Sequence, residues 1–168
     1  MRKLNFLAAA AAIALAAGHA SAATTNWNAH DPVELGFGAA MGANSAINDY
    51  FTFTLASNAH LLGVAVANDG GLADLTGGVV ELFRYSGAGP IGLIDSFAFD
   101  GVAVTHDFGI LTAGGYNYQV KASVAANAVF GTYQLNSQLA PVPEPASYAL
   151  MLAGLAAVAG LARRRKTV

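Results

Sequence analysis

The middle of the chain alternates apolar and polar residues with a period of two, and this pattern constrains its fold more than any other feature. The stretch YNYQVKASV at 116–124 puts aromatic and aliphatic residues on one face and Asn, Gln, Lys and Ser on the other. The stretch NDYFTFTL at 48–55 alternates in the same way. Because successive side chains of a strand point to opposite faces of a sheet, this alternation predicts strands with one buried face.

Further segments of similar composition are separated by turn residues. They lie at 60–67, 79–86, 91–99, 103–111 and 129–136. Clusters of Gly, Asn, Asp and Pro, such as those at 68–71 and 86–90, are typical of the loops between strands. Residues 23–46 contain few large apolar groups and predict one weak strand near 33–38 and otherwise loop. Seven or eight short strands at this spacing predict an all-β fold, an antiparallel, jelly-roll-like β-sandwich.

The N-terminus has the three parts of a secretory signal peptide. Arg2 and Lys3 are basic, residues 4–17 are apolar, and Ala20-Ser21-Ala22 is a small-x-small cleavage site. We therefore expect residues 1–22 to be a signal peptide, removed by cleavage after Ala22. The folded domain, which we call the passenger, is then residues 23–140.

The passenger region is acidic and lacks cysteine. Between residues 23 and 142 there are two basic and nine acidic residues, a formal net charge of −7. Nucleic-acid affinity comes largely from Lys and Arg on phosphates, so this balance argues against a nucleic-acid partner. The whole chain has no cysteine, which excludes disulfides, thiolate metal sites and thiol nucleophiles.

No catalytic or cofactor motif stands out in the passenger. Residues 87–92 spell G-x-G-x-x-G, but a strand pattern follows where a dinucleotide site needs a helix, so a hairpin loop is the better interpretation. His30, His60 and His106 are far apart in sequence and are interpreted as ordinary histidines rather than zinc ligands. His106 and Asp107 are neighbours, whose side chains point to opposite faces of a strand. We therefore expect a protein that is not an enzyme and has no cofactor.

Asp49 is the acidic residue that most needs an explanation. In a regular strand it shares a face with Ile47 and Phe51, and a carboxylate facing a core is costly unless it is paired or hydrogen-bonded. The favoured interpretation is that the strand begins at Tyr50 and that Asp49 caps a turn. Two alternatives remain: a structural interaction with backbone N–H groups or Arg84, and a Ca²⁺ site completed by loop oxygens.

The tail at 141–168 has three parts in a fixed order. A proline box, Pro143-Glu144-Pro145, comes first, and residues 147–162 follow with no charge. As a single hydrophobic helix these sixteen residues would span about 24 Å, against about 30 Å for the hydrocarbon core of a bilayer, so the transmembrane helix is marginal. A basic cluster ends the tail and would stay on the cytoplasmic side. It consists of Arg163, Arg164, Arg165 and Lys166.

This order of parts closely resembles the PEP-CTERM sorting signal. The resemblance implies recognition by an exosortase, a membrane-embedded cysteine transpeptidase-like protease, and removal of the tail near the proline box. It also implies a Gram-negative bacterium that makes exopolysaccharide. The passenger resembles the FxDxF subgroup through INDYF at 47–51, with Ile47 in place of the first aromatic residue. Its last two strand patterns, at 111–124 and 129–136, also resemble those of pre-peptidase C-terminal sandwich domains.

The expected function follows from both ends of the chain. We expect an exported, non-enzymatic protein of the envelope or the biofilm matrix, whose partners are the export machinery and an exosortase. The C-terminal helix would hold it in the inner membrane transiently, before it reaches the cell surface or the extracellular matrix. The alternative is a module that binds the matrix exopolysaccharide by stacking exposed aromatic side chains on sugars. The candidates for stacking are Trp27, Tyr50, Tyr85 and Tyr133.

Overall fold

Nine strands make up the passenger. The computed structural model of the chain describes residues 21–141, 149–156 and 158. The strands are β1 (Thr24–Ala29), β2 (Val33–Met41), β3 (Ala46–Leu55), β4 (Ala59–Ala67), β5 (Leu75–Tyr85), β6 (Pro90–Phe99), β7 (Val104–Leu111), β8 (Gly114–Val124) and β9 (Phe130–Pro141). Residues 149–156 and 158 are helical.

The strands form two sheets. One has five strands in the order β1-β3-β8-β5-β6, and the other has four in the order β2-β9-β4-β7. The antiparallel pairs nest within one another, since β2 pairs with β9, β3 with β8, β4 with β7 and β5 with β6. This nesting is the strand order of a jelly roll. The all-β sandwich prediction is confirmed, with one departure: β1 runs parallel to β3 at the sheet edge.

A single apolar core lies between the sheets. Phe53 of β3 packs against Tyr118 of β8, with ring centroids 5.3 Å apart. Leu61 of β4 and Leu135 of β9 face them from the other sheet and have no exposed surface. The alternation predicted at 48–55 and 116–124 is therefore confirmed, and its apolar face is the core face.

Residues 23–46 differ most from the sequence prediction. They contain two strands, β1 and a long β2, rather than one weak strand and loop. The reason is that β2 turns glycine and alanine towards the core, because large side chains approach it there. A Cβ on Gly36 would lie 2.6 Å from the Phe51 ring, and one on Gly38 would lie 2.2 Å from Asp49 Oδ2. Its large apolar residues face outwards, and Phe37 is 63% exposed.

The glycine-rich stretch at 87–92 is a hairpin connection, as predicted. It joins the end of β5 to the start of β6, and the two strands pair antiparallel. Gly87 and Gly89 have φ angles of 83° and 146°, a region that L side chains rarely adopt. Glycine at these two positions is therefore explained by the turn.

The tail helix is seen in part. Of the predicted helix at 147–162, residues 149–156 and 158 are helical, and the rest lie outside the described residues. No helix among the described residues is long and apolar enough to cross a membrane. Residues 1–20 of the predicted signal peptide also lie outside the described ranges.

Candidate functional site

The predicted sorting signal begins where the sandwich ends. Strand β9 ends at Pro141, and helical residues begin at 149. The large apolar side chains of the helix are all more than half exposed, from 57% at Met151 to 74% at Leu150. None of the described tail residues belongs to the core cluster. The other predicted signal residues lie outside the described ranges. They are Pro143, Glu144, Pro145, Arg163, Arg164, Arg165 and Lys166.

Asp49 lies inside a strand, so the interpretation of a turn cap is wrong. Strand β3 begins at Ala46, four residues before the Tyr50 start that the favoured interpretation required, and Asp49 has no exposed surface. Backbone pairing continues through this position, where Asp49 is opposite Val120 of β8. The sequence favoured a turn because a carboxylate facing a core is costly without partners. The partners that make it tolerable come from distant parts of the chain.

Two neutral groups donate hydrogen bonds to the Asp49 carboxylate. The backbone N–H of Ala23 donates to Oδ1 over 2.8 Å, and the Tyr133 hydroxyl donates to Oδ2 over 2.8 Å. Burial, and then the negative charge of Asp49, raise the pKa of Tyr133, which keeps its hydroxyl protonated. Arg84 bonds instead to Tyr116 and Thr112. The predicted backbone N–H interaction is thus present, and the predicted Arg84 contact is not.

A chain of hydrogen bonds joins the two sheets beside this carboxylate. His30 Nε2 lies 2.8 Å from Ser137 Oγ, and the Tyr118 hydroxyl lies 3.0 Å from the same oxygen. His30 Nδ1 donates to the carbonyl of Asp31, so in the neutral ring Nε2 accepts from Ser137. Burial lowers the pKa of His30 and favours this neutral form. Ser137 has no exposed surface, which suits a link between sheets and gives no access to a substrate.

The other two histidines each contact a carboxylate on the surface. His60 Nε2 lies 2.6 Å from Asp107, and His106 Nε2 lies 2.9 Å from Asp95. The neighbours His106 and Asp107 therefore have separate partners. This agrees with the prediction that their side chains point to opposite faces of the strand. Hydrogen bonding lowers the pKa of both carboxyls, mainly from His106 at Asp95 and mainly from the Gly109 N–H at Asp107.

No group of three or more His, Asp or Glu side chains within the described ranges could hold a metal ion. At Asp49, both carboxylate oxygens already accept hydrogen bonds from the chain itself. The calcium alternative at Asp49 stays a prediction.

The outer surface of the five-stranded sheet carries a group of mainly polar residues, which we call the polar face and which borders Val79, Phe83 and Leu93. Its residues come from β1, β3, β8 and β5: Asn26, Asn48, Tyr50, Thr52, Thr54, Glu81, Tyr85, Gly115, Asn117, Gln119 and Lys121. Gln119 Nε2 donates to Asn48 Oδ1 over 2.6 Å and to the Tyr50 hydroxyl over 2.9 Å. A cleft of about 540 Å³ lies beside this cluster, where Gly115 leaves space between Thr54 and Tyr85.

The four aromatic residues predicted to stack on sugars do not share one surface. Tyr50 and Tyr85 are half-buried on the polar face. Trp27 packs against the core instead, stacked on Phe51 with ring centroids 5.0 Å apart. Tyr133 is only 3% exposed and bonds Asp49. The prediction is therefore wrong for Tyr133 and Trp27, because β9 and β1 turn these two rings towards the core.

Solved structures resemble the passenger only loosely. The pre-peptidase C-terminal domain of a collagenase from Bacillus anthracis is 16% identical, with a TM-score of 0.44, and the match covers 68% of this chain and 94% of that one. PliG, a periplasmic inhibitor of g-type lysozyme from Aeromonas hydrophila, is 15% identical, with a TM-score of 0.37, and the match covers 71% of this chain and 100% of that one. The Yersinia pseudotuberculosis-derived mitogen is 14% identical, with a TM-score of 0.35, and the match covers 68% of this chain and 92% of that one. At these TM-scores none of the three carries an argument about function.

The tail gives the specific match. No curated protein matches the sequence. The family model of the PEP-CTERM protein-sorting motif matches residues 141–166, which leaves the passenger unassigned. The chain therefore carries a PEP-CTERM protein-sorting motif, and this supports an exported protein that an exosortase sorts and processes at the cell surface.

Proposed function

We propose that the protein is a non-enzymatic component of the cell envelope or the extracellular matrix, released from its tail by cleavage near Pro145. The observation that carries this proposal is the position of the motif. The last strand ends at Pro141, the residue at which the sorting motif begins. Cleavage near Pro145 would therefore leave all nine strands in the released protein.

The described part of the tail helix suits a transient stay in a membrane. Its apolar side chains are exposed in the folded chain, and apolar surface is more stable in lipid than in water. None of the described residues of the helix belongs to the core cluster of the passenger. A Gram-negative inner membrane would hold the helix, with the basic cluster on the cytoplasmic side, until an exosortase cuts the tail.

Substitution of the proline box tests the proposal in the intact chain. Replacing Pro143, Glu144 and Pro145 with alanine should leave the tail uncut and keep the protein in the membrane fraction. Ser147→Ala is the matched control outside the box and should release normally. Release of the triple variant at the normal rate and with the normal C-terminus would contradict the proposal.

A second candidate function is binding of the matrix exopolysaccharide at the polar face. It is favoured by the cleft beside Tyr85, which combines an aromatic ring with the hydroxyls of Thr52 and Thr54 and the amide of Asn26. Rings that stack on sugars and amides that bond hydroxyls are common in small-ligand sites. Asn26 Oδ1 already accepts a hydrogen bond from the Asn28 N–H over 2.8 Å, so this amide needs little reordering to bind.

This candidate is tested by affinity electrophoresis in gels that contain exopolysaccharide from the producing strain. Tyr85→Ala should weaken retardation at least about tenfold, because stacking and burial of a ring contribute at least about 1.4 kcal/mol. Phe37→Ala removes an exposed ring from the other sheet and is the matched control. Equal migration of wild type and Tyr85→Ala would eliminate the polar face as the binding site.

A further inference from the structure

We infer that Asp49 is the counter-ion of the N-terminal ammonium group that forms when the leader is removed. The inference rests on cleavage between Ala22 and Ala23, which the sequence predicts. In the folded chain the nitrogen of Ala23 lies 2.8 Å from Asp49 Oδ1. A leader peptidase hydrolyses that peptide bond with one water, so Ala22 leaves as a carboxylate and Ala23 keeps a protonated amine. The new positive charge then lies against the buried carboxylate.

Among the described residues, no basic side chain pairs with the buried carboxylate. Its two partners among the described residues are a backbone N–H and the Tyr133 hydroxyl, which are both neutral. The two basic side chains of the passenger contact other groups, since Arg84 bonds Tyr116 and Lys121 lies 2.7 Å from Glu81. A carboxylate with no exposed surface is strongly destabilising unless it is paired. An ammonium group at Ala23 supplies the missing charge.

The local structure can hold an ammonium group at this position. Ala23 is exposed, so the protons that do not bond Asp49 can bond water. The Ala23 carbonyl accepts a hydrogen bond from the Tyr50 N–H over 2.7 Å, and this bond does not depend on the leader. Strand β1 continues from Thr24, which pairs with Tyr50. Cleavage removes the bridge between Ser21 and Ile47 but leaves Ala23 anchored.

Removal of the leader would then complete the fold. Before cleavage the passenger contains a buried carboxylate with neutral partners, so its folded state is less stable than that of the mature chain. A lower stability suits a chain that must cross a membrane unfolded. After cleavage, the ion pair stabilises the folded state on the far side.

An insertion separates the charge from the hydrogen bond. The full chain is exported with its own leader, with and without Gly-Ser inserted between Ala22 and Ala23. The insertion moves the ammonium group two residues away and restores a neutral amide at Ala23. It should raise the unfolding equilibrium constant in urea at least about tenfold. In an Asp49→Asn background the same insertion should change that constant less than about twofold. An effect below twofold in the wild-type background would overturn the inference.

Two further measurements keep the test decisive. The mass of the exported protein must show a chain that begins at Ala23; another start overturns the inference and leaves the sorting proposal, which concerns the other end, intact. If Asp49→Asn does not fold, reductive methylation replaces it. The α-amine of Ala23 should react at least about tenfold more slowly in the folded chain than in urea, and the inserted chain should lose this protection. Equal rates for the folded and unfolded wild type would contradict the ion pair.

Discussion

At the scale of single residues, the contact between Asp49 and Tyr133 depends on the absence of a side chain at Gly38. A Cβ at this position would lie 2.2 Å from both Asp49 Oδ2 and Tyr133 Cε1. Neither group can move freely, because the Tyr133 hydroxyl bonds Asp49 across the space between the two sheets. Glycine is therefore required here by close approach.

Gly38→Ala should lower the free energy of unfolding by about 1–3 kcal/mol, because the added methyl group forces the Asp49–Tyr133 pair apart. Gly92→Ala is the matched control in another strand, since a Cβ there meets nothing within 4 Å. The control should change stability by less than about 0.5 kcal/mol. Urea unfolding followed by circular dichroism measures both, and equal stability of the two variants would contradict the close-approach argument.

His30 gives the passenger a dependence on pH. Burial holds its pKa below the ordinary value of 6.5, so on acidification the unfolded chain takes up the proton first. Stability that is present above about pH 6.5 should therefore be lost as the pH falls towards the folded-state pKa. The hydrogen bond to the Asp31 carbonyl, and then the negative charges of Glu34 and Asp31, raise the pKa of His30 and weaken this effect without reversing its sign.

The prediction for His30 is checked by urea unfolding between pH 8 and pH 5. His30→Gln should flatten the fall in stability over this range, because it removes the buried imidazole. A fall of the same size in His30→Gln and wild type would assign the pH dependence to other groups.

At the scale of strands, the sequence predicted those elements whose core face is apolar. Strands β3 and β8 alternate in the usual sense, and their predicted bounds are close to the observed ones. In strand β2 the large apolar residues are on the outer face instead. Glycine and alanine face the core, and Val33, Leu35 and Phe37 face outwards. Strand β1 is mostly polar and is held by pairing with β3. Strand β2 was predicted only as a weak strand near 33–38, because no large apolar residue of β2 faces the core, and β1 was missed because Trp27 is its one large residue packed against the core.

Trp27 is the side chain that fixes β1 to the core. It stacks on Phe51 and lies at the edge of the Tyr118 ring, with centroids 5.0 and 6.2 Å away. Trp27→Ala should lower the free energy of unfolding by about 1–3 kcal/mol, since it removes a half-buried aromatic contact. Trp27→Phe keeps part of the stacking and should lose less. Circular dichroism in urea compares them, and an unchanged stability in Trp27→Ala would show that pairing alone holds β1.

At the scale of the whole molecule, the sorting signal could be predicted and the Asp49 contacts could not. The signal is a local order of residue types at 141–166, so it can be recognised from the sequence without knowledge of the fold. Asp49 is bonded by residues 26 and 84 positions away, and only the nesting of the strands brings them together. The same holds for the polar face, where β1, β3, β8 and β5 contribute separately.

The sandwich should be independent of its tail. None of the described tail residues packs in the core, so a chain that ends at Pro145 should unfold within about 0.5 kcal/mol of the full chain. Thermal and urea unfolding of the two forms in the same detergent-containing buffer provide the comparison. A clear loss of stability in the shorter chain would mean that the tail is part of the fold.

The intact mass of the protein recovered from the surface of the producing cells tests the central claim most directly. Sorting and cleavage through the tail predict a chain whose C-terminus lies near Pro145, with the helix and the basic cluster absent. Surface protein that still carries Val168 would contradict cleavage at the motif.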